Sequence, residues 1–194
     1  FGDGRRWGTQ IGYSFEGHIE AGETVASPVG SAGGIKRIQD FGGFFDDTFV
    51  VVCGDALIDL DLAAVVRKHW QSGAAASIVV REVAKDRVSN YGVVVCDDSG
   101  QIQSFQEKPK TEDALSQLVN TGIYIFEPEI VDLIPRGVDF DIGGELFPLI
   151  LEKRLSFNAI KAPFNWLDIG QLSDYWAANQ QMMRSNFTCL QTPG

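Results

Sequence analysis

Apolar positions along the chain follow two periods, and the change from one to the other marks out the elements. The run Phe49-Val50-Val51-Val52-Cys53 has no polar alternation. It predicts a strand buried on both faces, as in a parallel sheet covered by helices. The run ends at Gly54-Asp55 and continues as Ala56-Leu57-Ile58-Asp59-Leu60-Asp61. Asp61 is a helix cap, with Leu62, Val65, Val66 and Trp70 at helical spacing and Gly73 as the stop. Residues 74–83 return to strand character, so a right-handed β-α-β crossover is predicted.

On the amino-terminal side, residues 9–15 read as a short strand and residues 16–27 as a polar loop or hairpin excursion. Pro28-Val29-Gly30-Ser31-Ala32-Gly33-Gly34 is a glycine-rich turn opening a helix on which Ile35, Ile38 and Phe41 share a face. Such a turn leaves backbone N–H groups free for a flat or anionic ligand. It has neither P-loop nor dinucleotide-fold glycine spacing, and a plain turn is the other reading.

On the carboxyl-terminal side, residues 91–96 and 101–106 flank Asp97-Asp98-Ser99-Gly100, a hairpin signature. A polar helical stretch is expected over 111–118, and a buried strand over 120–126. Pro128 opens a short helix, and residues 144–154 form an apolar helix with Pro148 in its first turns. A strand over 157–163 then leads to Phe164-Asn165-Trp166-Leu167-Asp168-Ile169-Gly170. A last helix runs from Ser173 and Asp174 to about Met183, with Tyr175, Trp176 and Ala178 available for packing. The pattern predicts an α/β fold with a mixed, mostly parallel sheet, helices on both faces and a β-hairpin part.

Composition narrows the function classes. A chain of 194 residues, 44% hydrophobic, is long enough for one buried core, and no apolar run reaches a membrane span. Cys53, Cys96 and Cys189 are odd in number and form no Cys-x-x-Cys pair, which argues against a disulfide framework or zinc site and suits a reducing cytoplasm. A formal net charge of −10 argues against nucleic-acid partners. A phosphorylated substrate would need a metal or a few placed cations. His18 and His69 are the only histidines and are expected to be solvated side chains.

Several carboxylates stand where strands end. Asp55 closes the apolar run, and ligands in open α/β sheets bind beyond the carboxyl ends of strands. It is either part of a turn or a ligand to a hard cation such as Mg²⁺. Asp168 stands in the same way after an aromatic. Glu107-Lys108-Pro109 is either a solvated edge or a Lys for a phosphate beside a Glu for sugar hydroxyls. Neighbours on a strand point to opposite faces, so Lys108 is expected to face away from Glu107.

Taken in order, Pro-x-Gly-Ser-Ala-Gly-Gly, Cys-Gly-Asp-Ala-Leu-Ile-Asp-Leu-Asp-Leu, Asn-Tyr-Gly-Val-Val, Phe-Gln-Glu-Lys-Pro, Val-Asn-Thr-Gly-Ile-Tyr-Ile-Phe and Trp-Leu-Asp-Ile-Gly resemble the sugar-1-phosphate nucleotidyltransferases. The glucose-1-phosphate and mannose-1-phosphate enzymes are the types most like it, the latter also at Phe1-Gly2-Asp3-Gly4 and Trp7-Gly8. The resemblance implies a Rossmann-like nucleotide-diphosphosugar transferase fold and transfer from an NTP to a hexose 1-phosphate with Mg²⁺. It also implies roles. Gly30, Ser31 and Ala32 approach the base; Asp55 and Asp168 hold the metal. Tyr91 and Gly92 form a sugar-side loop, Glu107 holds sugar hydroxyls, Lys108 meets the sugar phosphate, and Asn120 and Thr121 line the same pocket. Residues 1–73 would be the nucleotide side and 74–194 the sugar-phosphate side. The family's amino-terminal glycine-rich phosphate segment has no match here, so a truncated, inactive piece is expected that either self-associates or leaves the amino-terminal side of its sheet poorly ordered, and relatives often continue past Asn186 into a β-helix. The alternative is a catalytically dead regulatory or sugar-phosphate-binding module of the same fold.

Overall fold

The structure is a computed structural model that describes residues 1–184. Cys189 and the segment from Asn186 onward lie outside the described residues. After a 3₁₀ turn at Arg5–Trp7 come a hairpin of β1 (Gly17–Glu20) and β2 (Glu23–Ala26) and helix α1 (Gly30–Gly42). Strands β3 (Phe49–Val52) and β4 (Ala56–Ile58), helix α2 (Leu62–Ser72) and β5 (Ala76–Glu82) follow. The hairpin of β6 (Val93–Cys96) and β7 (Ile102–Gln106) leads to the nine-residue β8 (Leu118–Phe126). A π-helical turn at Ile142–Leu146 runs into α3 (Phe147–Glu152), and the described chain ends with β9 (Phe157–Lys161), β10 (Trp166–Asp168) and α4 (Leu172–Arg184).

The main sheet is mixed, in the order β7-β6-β8-β5-β9, with β3 also on β8. Its balance differs from the expected one: β5 and β9 run parallel, while β3/β8, β5/β8, β6/β8 and β6/β7 are antiparallel. An unbroken apolar run reports helix cover on both faces and says nothing about strand direction. Here Ile123 and Ile125 of β8 face Val65 and Val66 of α2, while Tyr124 and Phe126 face the cluster containing Ala32 and Ile35 of α1 and Phe147 and Ile150 of α3. The crossover from β3 through α2 to β5 joins two strands that are both antiparallel to β8 and lie on either side of it.

Several local expectations change. Strand β3 is not buried on both faces, since Val50 and Val52 are 36% and 42% exposed. Residues 9–15 form no strand: no described edge pairs with them, and Ile11 N and Tyr13 Oη bond back to the carbonyls of Asp3 and Gly2. The stretch 111–118 is not helical, because the Gln106 amide satisfies the Asp113 carbonyl and Leu115 N–H and so holds a turn. Phe41, Trp70, Tyr175 and Trp176 are exposed, and α4 buries only Ala178.

His69 is the sharpest departure. It is fully buried, with Nδ1 2.8 Å from Ser77 Oγ and Nε2 3.0 Å from Glu127 Oε1. Thr48 Oγ1 donates to the same Glu127 oxygen, and Trp70 Nε1 donates to Thr48. The network ties α2 to β5, to the end of β8 and to the entry of β3. Replacing His69 with Ala should leave Ser77 without its histidine partner, take one of the two donors from Glu127 and open a cavity, costing about 2–4 kcal/mol of unfolding free energy in a urea titration. Phe41→Ala, at an exposed position, should stay within about 0.5 kcal/mol.

Candidate active site

Gly122 sets the position of the site. It holds φ +75° in the middle of β8, where the register with β5 slips between Ile78 and Val80. β5 occupies one edge of β8 along its length, so β3 (opposite 123–126) and β6 (opposite Val119) share the other. They separate at the irregularity. Cys53 N–H still reaches the Gly122 carbonyl at 3.0 Å, after which the chain turns through Gly54 to Asp55. A Cβ on Gly122 would lie 2.7 Å from Cys53 Sγ, so only glycine lets these strands approach.

Asp55 and Asp168 are brought together by the small ribbon of β4 and β10. Asp168 is opposite Ala56, Ile169 N–H donates to the Asp55 carbonyl at 3.1 Å, and Asp59 and Asn165 clamp the ribbon's far end. Burial pushes the Asp168 carboxyl up; the Asp55 and Asp174 charges add to this and Lys108 opposes it. Burial also pushes the Cys53 thiol up, with Asp55 and Asp168 adding, so the three groups share one locality. Among the described residues no three His, Cys, Asp or Glu side chains gather as a metal cage. Two carboxylates with space for phosphate and water fit Mg²⁺ better than they fit a cation needing an all-protein cage.

The residues expected on the sugar side also converge. Gly92 lies between β8 and the end of β7: its carbonyl accepts from Asn120 N–H at 2.8 Å, and a Cβ there would meet the Phe105 ring and Glu107 Oε2. Asn120 donates to Tyr124 Oη and accepts from Gly122 N–H. Burial pushes the Tyr124 hydroxyl up; the Asn120 hydrogen bond opposes this, and Cys53, Asp141 and Glu107 add to it. Tyr91 leans on Trp166, ring centroids 5.1 Å apart, and both line a cleft of about 930 Å³ together with Lys108 and Asp168.

Two predicted residues, Thr121 and Ala32, behave differently from expectation. Thr121 is buried with its hydroxyl bonded to the Val79 carbonyl, so it braces the sheet instead of lining a pocket. Ala32 is fully buried, and the N–H groups of Ala32 and Gly33 both donate to the Phe140 carbonyl, so the turn at α1 is not an open row of amides. Ser31 Oγ is bonded to Asp141 and accepts from Ile142 N–H, while Gly30, at φ +74°, packs against residues 139–140. Of the base-side set, Gly30 and Ser31 stay near the surface and Ala32 does not.

Lys108 also departs from the expected strand geometry. β7 ends at Gln106, and Lys108 turns to φ +40° immediately before a proline, a combination that costs about 1–3 kcal/mol and persists only where surroundings enforce it. The turn brings its ammonium 3.9 Å from Glu107 Oε1 instead of to the opposite face. Asp141, Tyr124, Trp166, Asp174 and Arg87 belong to the neighbourhood and were not singled out from sequence. Asp141 alone carried a local signal. Despite burial, which pushes it up, hydrogen bonds from Ser31, Gly144, Gly143 and Ile142 hold its carboxyl below the usual range, and Glu145 caps its N–H in return.

Two outcomes follow. A carboxyl raised by folding binds its proton more tightly in the folded state, so its contribution falls as pH rises from the ordinary carboxylate range through the raised value. Asp168→Asn should therefore raise Tm at pH 7 without divalent metal, with the difference closing as pH falls below that range, and calorimetry at several pH values reads it. Lys108→Gly should raise stability by about 1 kcal/mol through strain relief while weakening phosphate binding, as measured by denaturation and calorimetry.

Known proteins are similar to this chain in sequence and in fold. A UTP–glucose-1-phosphate uridylyltransferase of Synechocystis sp. is 54% identical over all 194 residues, which cover 50% of that protein. A mannose-1-phosphate guanylyltransferase of Mycobacterium tuberculosis is 31% identical over 186 residues, 95% of this chain and 47% of that protein. The chain thus spans about half the length of these curated relatives. A Bacillus anthracis crystal structure assigned as a glucose-1-phosphate thymidylyltransferase, in complex with a sucrose, matches with TM-score 0.72 at 21% identity, over 92% of this chain and 68% of that one. HddC of Yersinia pseudotuberculosis complexed with GMP-PN matches with TM-score 0.65 at 24% identity, over 80% and 64%. At these identities the two structures speak for the fold alone. The family model described as nucleotidyl transferase matches residues 1–185, and the chain belongs to that family.

Proposed function

We propose that this chain is the metal and sugar-phosphate part of a hexose-1-phosphate nucleotidyltransferase. The observation that carries the reading is the meeting of Asp55 and Asp168 across β4 and β10, beside the cleft that Lys108 lines. In the proposed reaction an oxygen of the sugar 1-phosphate attacks the α-phosphorus of an NTP, the bond to the β-phosphate breaks, and NDP-sugar and pyrophosphate result. The work is mainly positioning and charge neutralisation. Bound Mg²⁺ would supply charge neutralisation at the phosphates.

The chain's own residues divide the task. Asp55 and Asp168 hold the cation, and Lys108 binds the sugar phosphate. Glu107, next to the Gly92 backbone, accepts hydrogen bonds from sugar hydroxyls, and Asn120 fixes the floor through Tyr124. Tyr91 and Gly92 shape the sugar side, and Gly30 and Ser31 the base side. UTP and glucose 1-phosphate are the first substrates to test, because the 54% identical relative is a UTP–glucose-1-phosphate uridylyltransferase.

We also infer that this chain by itself is inactive. Amides in the first turn of α1 are committed to Phe140, so that glycine-rich turn cannot cradle a leaving pyrophosphate. One edge of β3 has no partner among the described residues, and Val50 and Val52 are exposed beside it, which favours self-association. No helix among the described residues is long and apolar enough to cross a membrane, and the proposed compartment is the cytoplasm.

UDP-glucose plus Mg²⁺ should raise Tm by about 5–10 °C at a hundredfold excess over Kd, more than either alone, and Asp55→Asn should abolish the increment. A metal-independent shift that survives in Asp55→Asn would defeat the assignment. Pyrophosphate release by this chain from UTP and glucose 1-phosphate near about 1 s⁻¹ would refute its inactivity.

A further inference from the structure

The cleft beside Asp168 holds more cations than the reading above uses. In a chain of formal net charge −10, Arg81, Arg87 and Lys108 all line it. They are not equivalent. Arg81 is half-buried and its guanidinium donates to the Phe164 carbonyl at 3.0 Å, so it braces the cleft wall. Lys108 sits near Glu107 and feels Asp168. Arg87 is exposed, forms no ion pair among the described residues, and spends one N–H on the neutral Tyr91 hydroxyl at 3.2 Å. The rest of its planar fork remains available to a ligand.

Its position is nonetheless defined. Arg87 lies in the 3₁₀ turn Lys85–Asn90, which is anchored from within by the fully buried Val88 and closed by Arg87 N–H to Ala84 and Tyr91 N–H to Val88. The Tyr91 ring that carries the partner hydroxyl packs on Trp166, two residues before Asp168. A guanidinium held at one corner on the wall of a cleft suits bidentate recognition of a phosphate.

We propose that Arg87 is a specificity-determining residue of this cleft, whose guanidinium binds the phosphate of a hexose 1-phosphate jointly with Lys108. The proposal rests on the hexose-1-phosphate reading of the site. Tyr91 acts through Arg87 as a positioning residue.

The test is calorimetry of the chain with Mg²⁺ and glucose 1-phosphate, using Arg87→Gln, Arg87→Lys, Tyr91→Phe and Lys108→Gln, with UDP-glucose as a parallel ligand. Arg87→Gln should weaken glucose 1-phosphate binding about 10- to 100-fold with unchanged ligand-free Tm. Arg87→Lys should recover part of the loss, because it keeps the charge without the fork, and Tyr91→Phe should weaken binding by a smaller factor. Affinity should rise between pH 5 and 7 as the phosphate loses its second proton, with pKa about 6, and the rise should flatten in Arg87→Gln. Wild-type affinity in Arg87→Gln alongside weakened Lys108→Gln would overturn the role of Arg87 and leave the site reading standing. Loss of UDP-glucose binding alone would move Arg87 to the nucleotide phosphates and overturn the proposal. No glucose 1-phosphate binding by the wild type, or an unaffected Lys108→Gln, would overturn both.

Discussion

Strand β8 is the constraint on which the rest of the molecule depends. It has two edges and serves three neighbours, which is possible only because its second edge is divided at Gly122 between β3 and β6. The division needs a residue at φ +75° whose side of the backbone can admit the Cys53 sulfur, and glycine alone meets both conditions. Where the two strands separate, backbone pairing stops and the chain turns outward through Gly54 and Asp55. The same irregularity that ends the ladder therefore opens the crevice in which the carboxylates stand.

Electrostatics at that crevice are unfavourable in isolation. Burial together with the nearby charges of Asp55 and Asp174 raises the proton affinity of Asp168, in a chain already strongly negative. Lys108 offsets part of this from a strained backbone. Like charges and backbone strain concentrated in one place are a standing cost that folding alone does not explain, and a bound cation with its phosphates would relieve the repulsion.

The opposite end of the sheet is built on the reverse principle. There His69, Ser77, Glu127, Thr48 and Trp70 are satisfied by one another, and His69 is sealed from solvent. A hydrogen-bonded network closed around a buried histidine and serine specifies how α2 and the ends of β5 and β8 register. One end of the sheet is locked, while the other leaves its donors and carboxylates facing the cleft.

Much of this was legible along the chain. Strands, hairpin and helix caps come from local periodicity and turn chemistry: Asp61 accepts from Ala64 N–H as its N-cap, and Pro148 stands at the start of α3. Asp55, Glu107, Lys108 and Asp168 stood out because charged residues interrupt or end apolar runs. Strand direction was not legible, since helix cover makes parallel and antiparallel runs look alike. Neither was the burial of His69, whose partners are 8 and 58 residues away. Arg87 carries no local mark either: its place follows from a turn pinned by Val88 and from a tyrosine resting on Trp166, far along the chain. The capture of the Ala32 and Gly33 amides by Phe140 belongs to the same class, because a glycine-rich turn advertises free donors locally and only the packed segment opposite decides whether they stay free.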